Sequence, residues 1–338
     1  MKRKAYRLHA GNIKNLKLVD ETLPEPEEGE VTIEVKAIGL NFADVFAIWG
    51  LYSATPKGEF VPGLEYSGTV AKVGKEVRNF KVGDRIMGVT RFGAYATHLN
   101  IDAGHVIPLP DDWDFQTGAS YLVQVLTAFY ALVNLGALSA GQTILIHSAA
   151  GGVGILSNRI AKKFDAFTIG TVGNASKLER LAKEGYDKGI VRDGVFAEKL
   201  KGALGGRPLN LIMECMGGKI LKAGFAQLAP QGRMVVYGAA QYAHPGDRPN
   251  KLKLLWKFLQ RPKIDAQSLA EENKSIMGFN LIYLYEKEDL LHQLLKEIGD
   301  LKIQKPFVGQ SFSFEKLPDA IRLFKSGQTI GKVVVKIG

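Results

Sequence analysis

Ser148-Ala-Ala-Gly-Gly-Val-Gly154 follows the apolar run Thr143-Ile-Leu-Ile-His147 and leads into Ile155–Phe164, a segment able to continue as a helix. Strand, glycine turn and helix in that order are what a dinucleotide pyrophosphate requires. Glycines admit the phosphates close to the backbone, while the helix start supplies N–H donors and partial positive charge. Ala150, Gly151, Gly152 and Val153 are the expected contacts. In an NAD site an acid about 20 residues further on holds the ribose 2′-hydroxyl. Here the second apolar strand ends Thr171-Val172-Gly173, with no carboxylate to repel a 2′-phosphate. Ser176 and Lys177 follow at once and Arg192 closes the third strand, so Gly173, Ser176, Lys177 and Arg192 point to NADPH rather than NADH.

Other reaction centres are harder to assemble. The six histidines stand singly, without a metal-ligating spacing such as His-x-x-x-His, and no Ser-His-Asp arrangement can be argued. His147 reads as structural. Cys215 is the only cysteine, which excludes an intrachain disulfide and a zinc cage of several thiolates. Between Met213 and Met216 it reads as a small buried apolar residue. No metal site is expected.

Length and charge set the outer bounds. The 338 residues suffice for two domains with real cores. Lys and Arg outnumber Asp and Glu by 44 to 34, giving a formal charge of +10. No compact basic block interleaved with aromatics accompanies that surplus, so nucleic acid is not an expected partner. Met1-Lys-Arg-Lys4 lacks the apolar core of a signal peptide, and a reduced, cytoplasmic setting is expected. One segment, residues 251–261, mixes leucines, Trp256 and Phe258 with Lys251, Lys253, Lys257 and Arg261. As a helix it would have a basic side and an apolar side, fit for peripheral contact with an anionic bilayer. The alternative is a helix that caps the nucleotide domain with its charges in solvent.

The elements that must position these residues change character along the chain. Alternation in Val31–Val35 and Thr69–Val73, with many glycine and proline turns, makes the first third β-rich. Phe115 to Asn158 carries no Asp, Glu, Lys or Arg. Its approach to membrane-span length is offset by Gln124, Thr127 and Asn134, so a buried helix is expected. Strands are then expected at Thr143–His147, Ala166–Gly170, Lys188–Val191, Asn210–Met213, Arg233–Tyr237 and Ser275–Leu281, with helices between most of them. That alternation predicts an α/β, doubly wound parallel sheet covered on both faces. A final strand, Lys332–Ile337, would complete the amino-terminal domain.

Gly63-Leu-Glu65 with Gly68, Val73-Gly74, Val77, Phe80 and Gly83-Asp84-Arg85 resembles the signature of the medium-chain dehydrogenase/reductase superfamily. With Asn41-Phe-Ala-Asp44, Gly50-Leu-Tyr52, the glycine turn and Gly170-Thr-Val-Gly173, nearly the whole chain is similar to the zinc-free quinone oxidoreductase and zeta-crystallin branch. Gly278-Phe-Asn-Leu281 is similar to the synaptic vesicle membrane protein group of that branch. The resemblance implies a Rossmann domain at 124–281 and a GroES-like β-barrel domain at 1–123 and 282–338. It also implies a homodimer joined through the sheet edge near Ser275–Leu281. In the zinc alcohol dehydrogenases a His follows the signature glycine and a Cys lies at the position of Asn41; Leu64 and Asn41 stand there instead.

By the same resemblance, Lys177 would contact the 2′-phosphate, and Arg192 replaces a tyrosine usual in the branch. Asn41 and Thr127 would approach the ribose and nicotinamide. Gly238 and Ala239 would close the fifth strand, and Phe279, Asn280 and Leu281 would flank the carboxamide. The tyrosine matching Tyr52 in related enoyl-thioester reductases polarises the substrate carbonyl or supplies a proton, so Tyr52 and Asn41 are the expected catalytic residues. The implied activity is zinc-independent hydride transfer from NADPH to a quinone or an α,β-unsaturated carbonyl. The alternative is a membrane-associated or lipid-handling NADPH-binding protein with little turnover.

Overall fold

A computed structural model describes residues 1–338. Six parallel strands form one sheet, in the spatial order Lys188–Val191, Phe167–Val172, Thr143–Ile146, Leu209–Glu214, Leu228–Val236 and Ser275–Gly278. In chain order that is 3-2-1-4-5-6, the doubly wound arrangement whose strand order reverses beside the first strand. Both faces are covered, as a parallel sheet requires. Ile144 and Ile146 belong to one apolar cluster and Leu145 to the other; Leu211 and Met213 against Ile212, and Val235 against Met234, repeat the alternation.

The remaining chain builds a β-rich body. Val308–Ser313, Lys332–Lys336, Glu30–Gly39, Glu65–Val73, Arg85–Val89 and Val106–Pro108 lie in sequence across a second sheet, with His98–Asp102 also paired to Glu30–Gly39. The expected last strand does return here, antiparallel to Glu30–Gly39 with Val335 opposite Ile38. Tyr66 and Tyr95, both 0% exposed, sit in its core beside Ile33, Leu317 and Val335.

The charge-free stretch is buried, but not as one smooth helix. It breaks into Phe115–Gly118, Leu122–Phe129 and a π-helical turn, Tyr130–Leu135. Phe115–Leu135 is long and apolar enough to cross a membrane by length and composition, yet Val125, Leu126, Phe129 and Leu132 pack into the parallel-sheet core. Helix Glu288–Asp300, beyond position 281, adds Leu291, Leu294 and Ile298 to that same core. We therefore propose that the nucleotide domain extends to about this helix rather than ending at 281. Helix Phe196–Leu204 lies between the third and fourth of the parallel strands.

Candidate active site

A cleft of about 930 Å³ runs between the two bodies, along the carboxyl ends of the parallel strands. Helix Gly152–Lys162 starts on its wall, with Gly151 extended as its N-cap. The turn is tight: a Cβ on Gly154 would stand 2.6 Å from Ala149 Cα. Only glycine allows helix and strand to approach so closely. The first N–H groups of this helix have no intrahelical acceptor and face a ligand-sized space. Ala150, Gly151, Gly152 and Val153 all line the cleft.

Further along that wall, Gly173, Lys177 and Arg192 also line the space. Arg192 Nη1 donates to the Thr171 carbonyl at 2.8 Å and to its hydroxyl at 2.7 Å, which holds the guanidinium at the end of the second strand. Lys177 Nζ donates to the carbonyls of Gly327 and Thr329, at 2.6 and 2.7 Å. Burial, then the neighbouring Arg192, push its ammonium below the ordinary lysine range. Neither cation is in a salt bridge, although Glu214 is near enough to act on Arg192, and a pair of cations so placed suits an anionic group. Ser176 does not join them. It is exposed, outside the cleft lining, and its backbone N–H donates to Asn174 Oδ1 at the turn's cap.

The floor is a buried polar cluster. Lys332 Nζ donates to Glu65 Oε2 at 2.7 Å and to Asn41 Oδ1 at 2.8 Å. Gln124 Nε2 donates to the same two oxygens, at 3.2 and 3.0 Å, and Val123 N donates to Glu65 Oε1 at 3.0 Å. Glu65 and Lys332 are 0% and 3% exposed. Below Asn41, Asp44 Oδ2 accepts from the Asn41 N–H at 2.8 Å and the Tyr95 hydroxyl at 3.0 Å. Burial pushes the Asp44 carboxyl up to about 7.

The opposite lip belongs to Tyr52. Its hydroxyl donates to Asn280 Oδ1 at 2.6 Å, joining a barrel loop to the turn after the last parallel strand. Burial raises the phenol above its ordinary range, so it stays a hydrogen-bond donor at neutral pH. Gly238, Ala239, Phe279, Asn280 and Leu281 share this region, with Phe279 packed edge-on to Tyr130. Thr127 also lines the cleft, but its hydroxyl donates back to the Val123 carbonyl of its own helix at 2.6 Å.

Comparisons with known proteins agree with the two-domain fold. Residues 27–111 match the alcohol dehydrogenase GroES-like domain and residues 152–297 the zinc-binding dehydrogenase domain. The synaptic vesicle membrane protein VAT-1 homologue of Danio rerio is 31% identical over 316 residues, covering 92% of this chain and 65% of that protein's length. That of Rattus norvegicus is 30% identical over 319 residues, covering 93% and 78%. The chain belongs to the medium-chain dehydrogenase/reductase superfamily, in its quinone oxidoreductase branch near the VAT-1 homologues. Escherichia coli quinone oxidoreductase, solved as a complex with NADPH, superposes with a TM-score of 0.85 at 27% identity over 99% of this chain and 100% of that one. The CurK enoyl reductase does so with a TM-score of 0.85 at 27% identity, over 99% of each.

A superfamily with zinc-dependent members makes the metal position worth testing in this branch member. A catalytic zinc needs three protein ligands and an open position. Here the corresponding residues are an amide whose oxygen is occupied by Lys332 and Gln124, the alkyl chain of Leu64, and a carboxylate already paired with an ammonium. The residues do not fit a zinc ion.

Three features of the site were not foreseen. Cys215 is half-buried and lines the cleft rather than sitting in the apolar core, with Sγ 3.5 Å from Ser148 Oγ. The loop from Ser326 to Gly331 arches over the glycine turn, where Gly331 N donates to the Ala150 carbonyl at 2.7 Å. Lys332 brings the floor its only cation. His147 is 0% exposed, with Nδ1 2.8 Å from the Thr171 hydroxyl and Nε2 3.2 Å from Glu214 Oε2.

Proposed function

We propose that the protein is an NADPH-dependent oxidoreductase that reduces a quinone or an α,β-unsaturated carbonyl without a catalytic metal. The observation that carries this reading is the Tyr52 phenol, held in the cleft that also contains the glycine turn and the Lys177–Arg192 pair. Bound NADPH supplies the hydride. The glycine turn and its helix would hold the pyrophosphate, and Lys177 with Arg192 the 2′-phosphate. The floor cluster fixes the Asn41 amide, while Tyr52 donates a hydrogen bond to the acceptor's carbonyl oxygen as negative charge develops there. The proton that completes reduction comes from the phenol or from water behind it. The enclosing walls keep that oxygen from bulk solvent and strengthen the bond.

The test is consumption of NADPH against ortho-quinones, para-quinones, alkenals and cyclic enones. Turnover of none of them would sink the reading.

A second reading rests on helix Lys251–Leu259. Its apolar side chains meet no core: Leu252 is 80% exposed and Trp256 63%, between lysines. We propose that this face contacts an anionic bilayer peripherally. We also propose a homodimer through strand Ser275–Gly278, which has a neighbour on one side only.

A further inference from the structure

His105 is placed as a metal ligand is placed. It closes the short turn Ala103–His105 and is 7% exposed, with its ring stacked 3.8 Å from the Tyr285 ring. Its Nε2 lies 2.9 Å from the Tyr285 carbonyl oxygen. A carbonyl can only accept, so Nε2 carries a hydrogen, and a neutral ring would then present its lone pair at Nδ1. That buried Nδ1 has no hydrogen-bond partner. It faces Glu288 Oε1 at 3.7 Å, and one ligand atom each from Asp102, His105 and Glu288 lies within 4.8 Å of the others. Asp102 Oδ1 is occupied by the Gly104 N–H at 2.7 Å, which leaves its second oxygen free.

A lone pair between two carboxylates is repulsive until something positive lies among them. Glu27, Glu28 and Glu30 border Asp102 in an adjoining hollow, while the nearby Arg91 is neutralised by Glu286 at 2.6 Å. The local charge is therefore negative. We propose that Asp102, His105 and Glu288 bind one divalent first-row cation, Zn²⁺ in preference to Mn²⁺. One imidazole nitrogen with two carboxylate oxygens suits these ions, whereas Ca²⁺ takes six or more oxygens. The imidazole N–H directed at a backbone carbonyl is the outer-shell bond that such ligands use to fix their tautomer. These residues are distinct from Asn41, Leu64 and Glu65 of the cleft floor.

The consequence is mechanical. Asp102 and His105 belong to the barrel, whereas Glu288 begins the helix whose Leu291 and Leu294 pack in the nucleotide-domain core. Tyr285, clamped by His105, lines the main cleft. An ion here joins the two bodies and holds one wall of the cleft.

The experiment titrates chelator-stripped, full-length protein with ZnCl₂ and separately with MnCl₂ in a calorimeter, and reads the thermal midpoint with and without metal. Wild type should take one Zn²⁺ per chain and gain thermal stability. Glu288→Gln and His105→Gln should each weaken binding by more than the about 10–100-fold that losing an outer-shell partner costs and abolish that gain, while Cys215→Ser should bind like wild type. If His105→Gln does not fold, Asp102→Asn, altered at an exposed side chain, and Glu288→Gln, altered at a half-buried one, carry the test. Absence of uptake at millimolar metal overturns the proposal, as does unchanged affinity in Glu288→Gln. So does a metal-indifferent protein in which NMR shows His105 protonated, because then a proton alone answers the two carboxylates.

Discussion

The Tyr52 hydroxyl reaches across the cleft to donate a 2.6 Å hydrogen bond to Asn280 Oδ1. One residue comes from the barrel and the other from the turn that follows the last parallel strand, so this bond reports how the two bodies meet. It also parks the phenol where an acceptor's carbonyl oxygen could replace the amide oxygen. Tyr52→Phe should lower turnover on every active acceptor by about a hundredfold, the scale of losing one preorganised donor, with NADPH affinity unchanged. Steady-state kinetics beside calorimetry of NADPH binding separate the two. Undiminished turnover would remove Tyr52 from the reaction.

Lys177 and Arg192 give the cleft a positive rim where an acid would otherwise select NADH. Lys177→Ala should weaken NADPH binding at least about tenfold, the scale of one charge-assisted hydrogen bond, and leave NADH binding unchanged. Dissociation constants for both nucleotides check this. If both weaken equally, Lys177 acts only by tethering the Gly327 and Thr329 carbonyls, which it holds at 2.6 and 2.7 Å.

Glu65 and Lys332 form an ion pair that is almost wholly removed from water. Lys332→Met leaves the carboxylate buried without its partner, a change that costs about 3–5 kcal/mol. The double variant Lys332→Met/Glu65→Gln removes the orphaned charge and should recover much of that loss. Urea unfolding of both variants measures it. Equal destabilisation in the two would place the effect in packing rather than charge.

Asp44 supplies a pH dependence of unusual sign. Its carboxyl titrates at about 7 when folded, against an ordinary value of 3.8. Between those values the unfolded chain has released the proton and the folded chain keeps it, so stability falls as pH rises from about 4 to about 7. Above that window the contribution is constant. Asp44→Asn should flatten the decline, by as much as about 1.4 kcal/mol per pH unit in mid-window. Urea midpoints at several pH values test this, and parallel profiles for variant and wild type would show that Asp44 is ionised throughout.

The parallel sheet was readable because residues such as Ile144, Leu145 and Ile146 must feed alternate faces of a covered sheet, which leaves an unbroken apolar run before the glycine turn. The cleft lining was readable at Lys177 and Arg192 from their place after the glycine turn, and at Tyr52 and Asn280 only through the family resemblance. What escaped depends on tertiary placement. Lys332 looks like one more residue of a final strand; only Glu65, 267 positions away, makes its ammonium a buried part of the floor. Ser176 has the chemistry for a phosphate, but the Asn174 cap turns it outward. Cys215 reads as core between two methionines, yet the strand ends there and opens it to the cleft.

Helix Lys251–Leu259 presents Leu252, Leu255, Trp256, Phe258 and Leu259 to solvent, all at least half exposed. Asn250 caps its start, its Oδ1 accepting from Lys253 N at 3.0 Å, so the element is formed without burying that face. Apolar side chains interleaved with lysines gain by inserting among acyl chains while the ammonium groups meet anionic headgroups. Vesicles containing phosphatidylserine should therefore sediment the protein at low salt, and high salt should release most of it by screening the electrostatic part. Leu252→Ser/Trp256→Ser should bind several-fold more weakly with an unchanged thermal midpoint, since neither side chain supports the core. Equal sedimentation with neutral and anionic vesicles, or none with either, would leave this face without a membrane role and turn attention to a second copy of the chain, which analytical ultracentrifugation of the same double variant would reveal as a lost dimer.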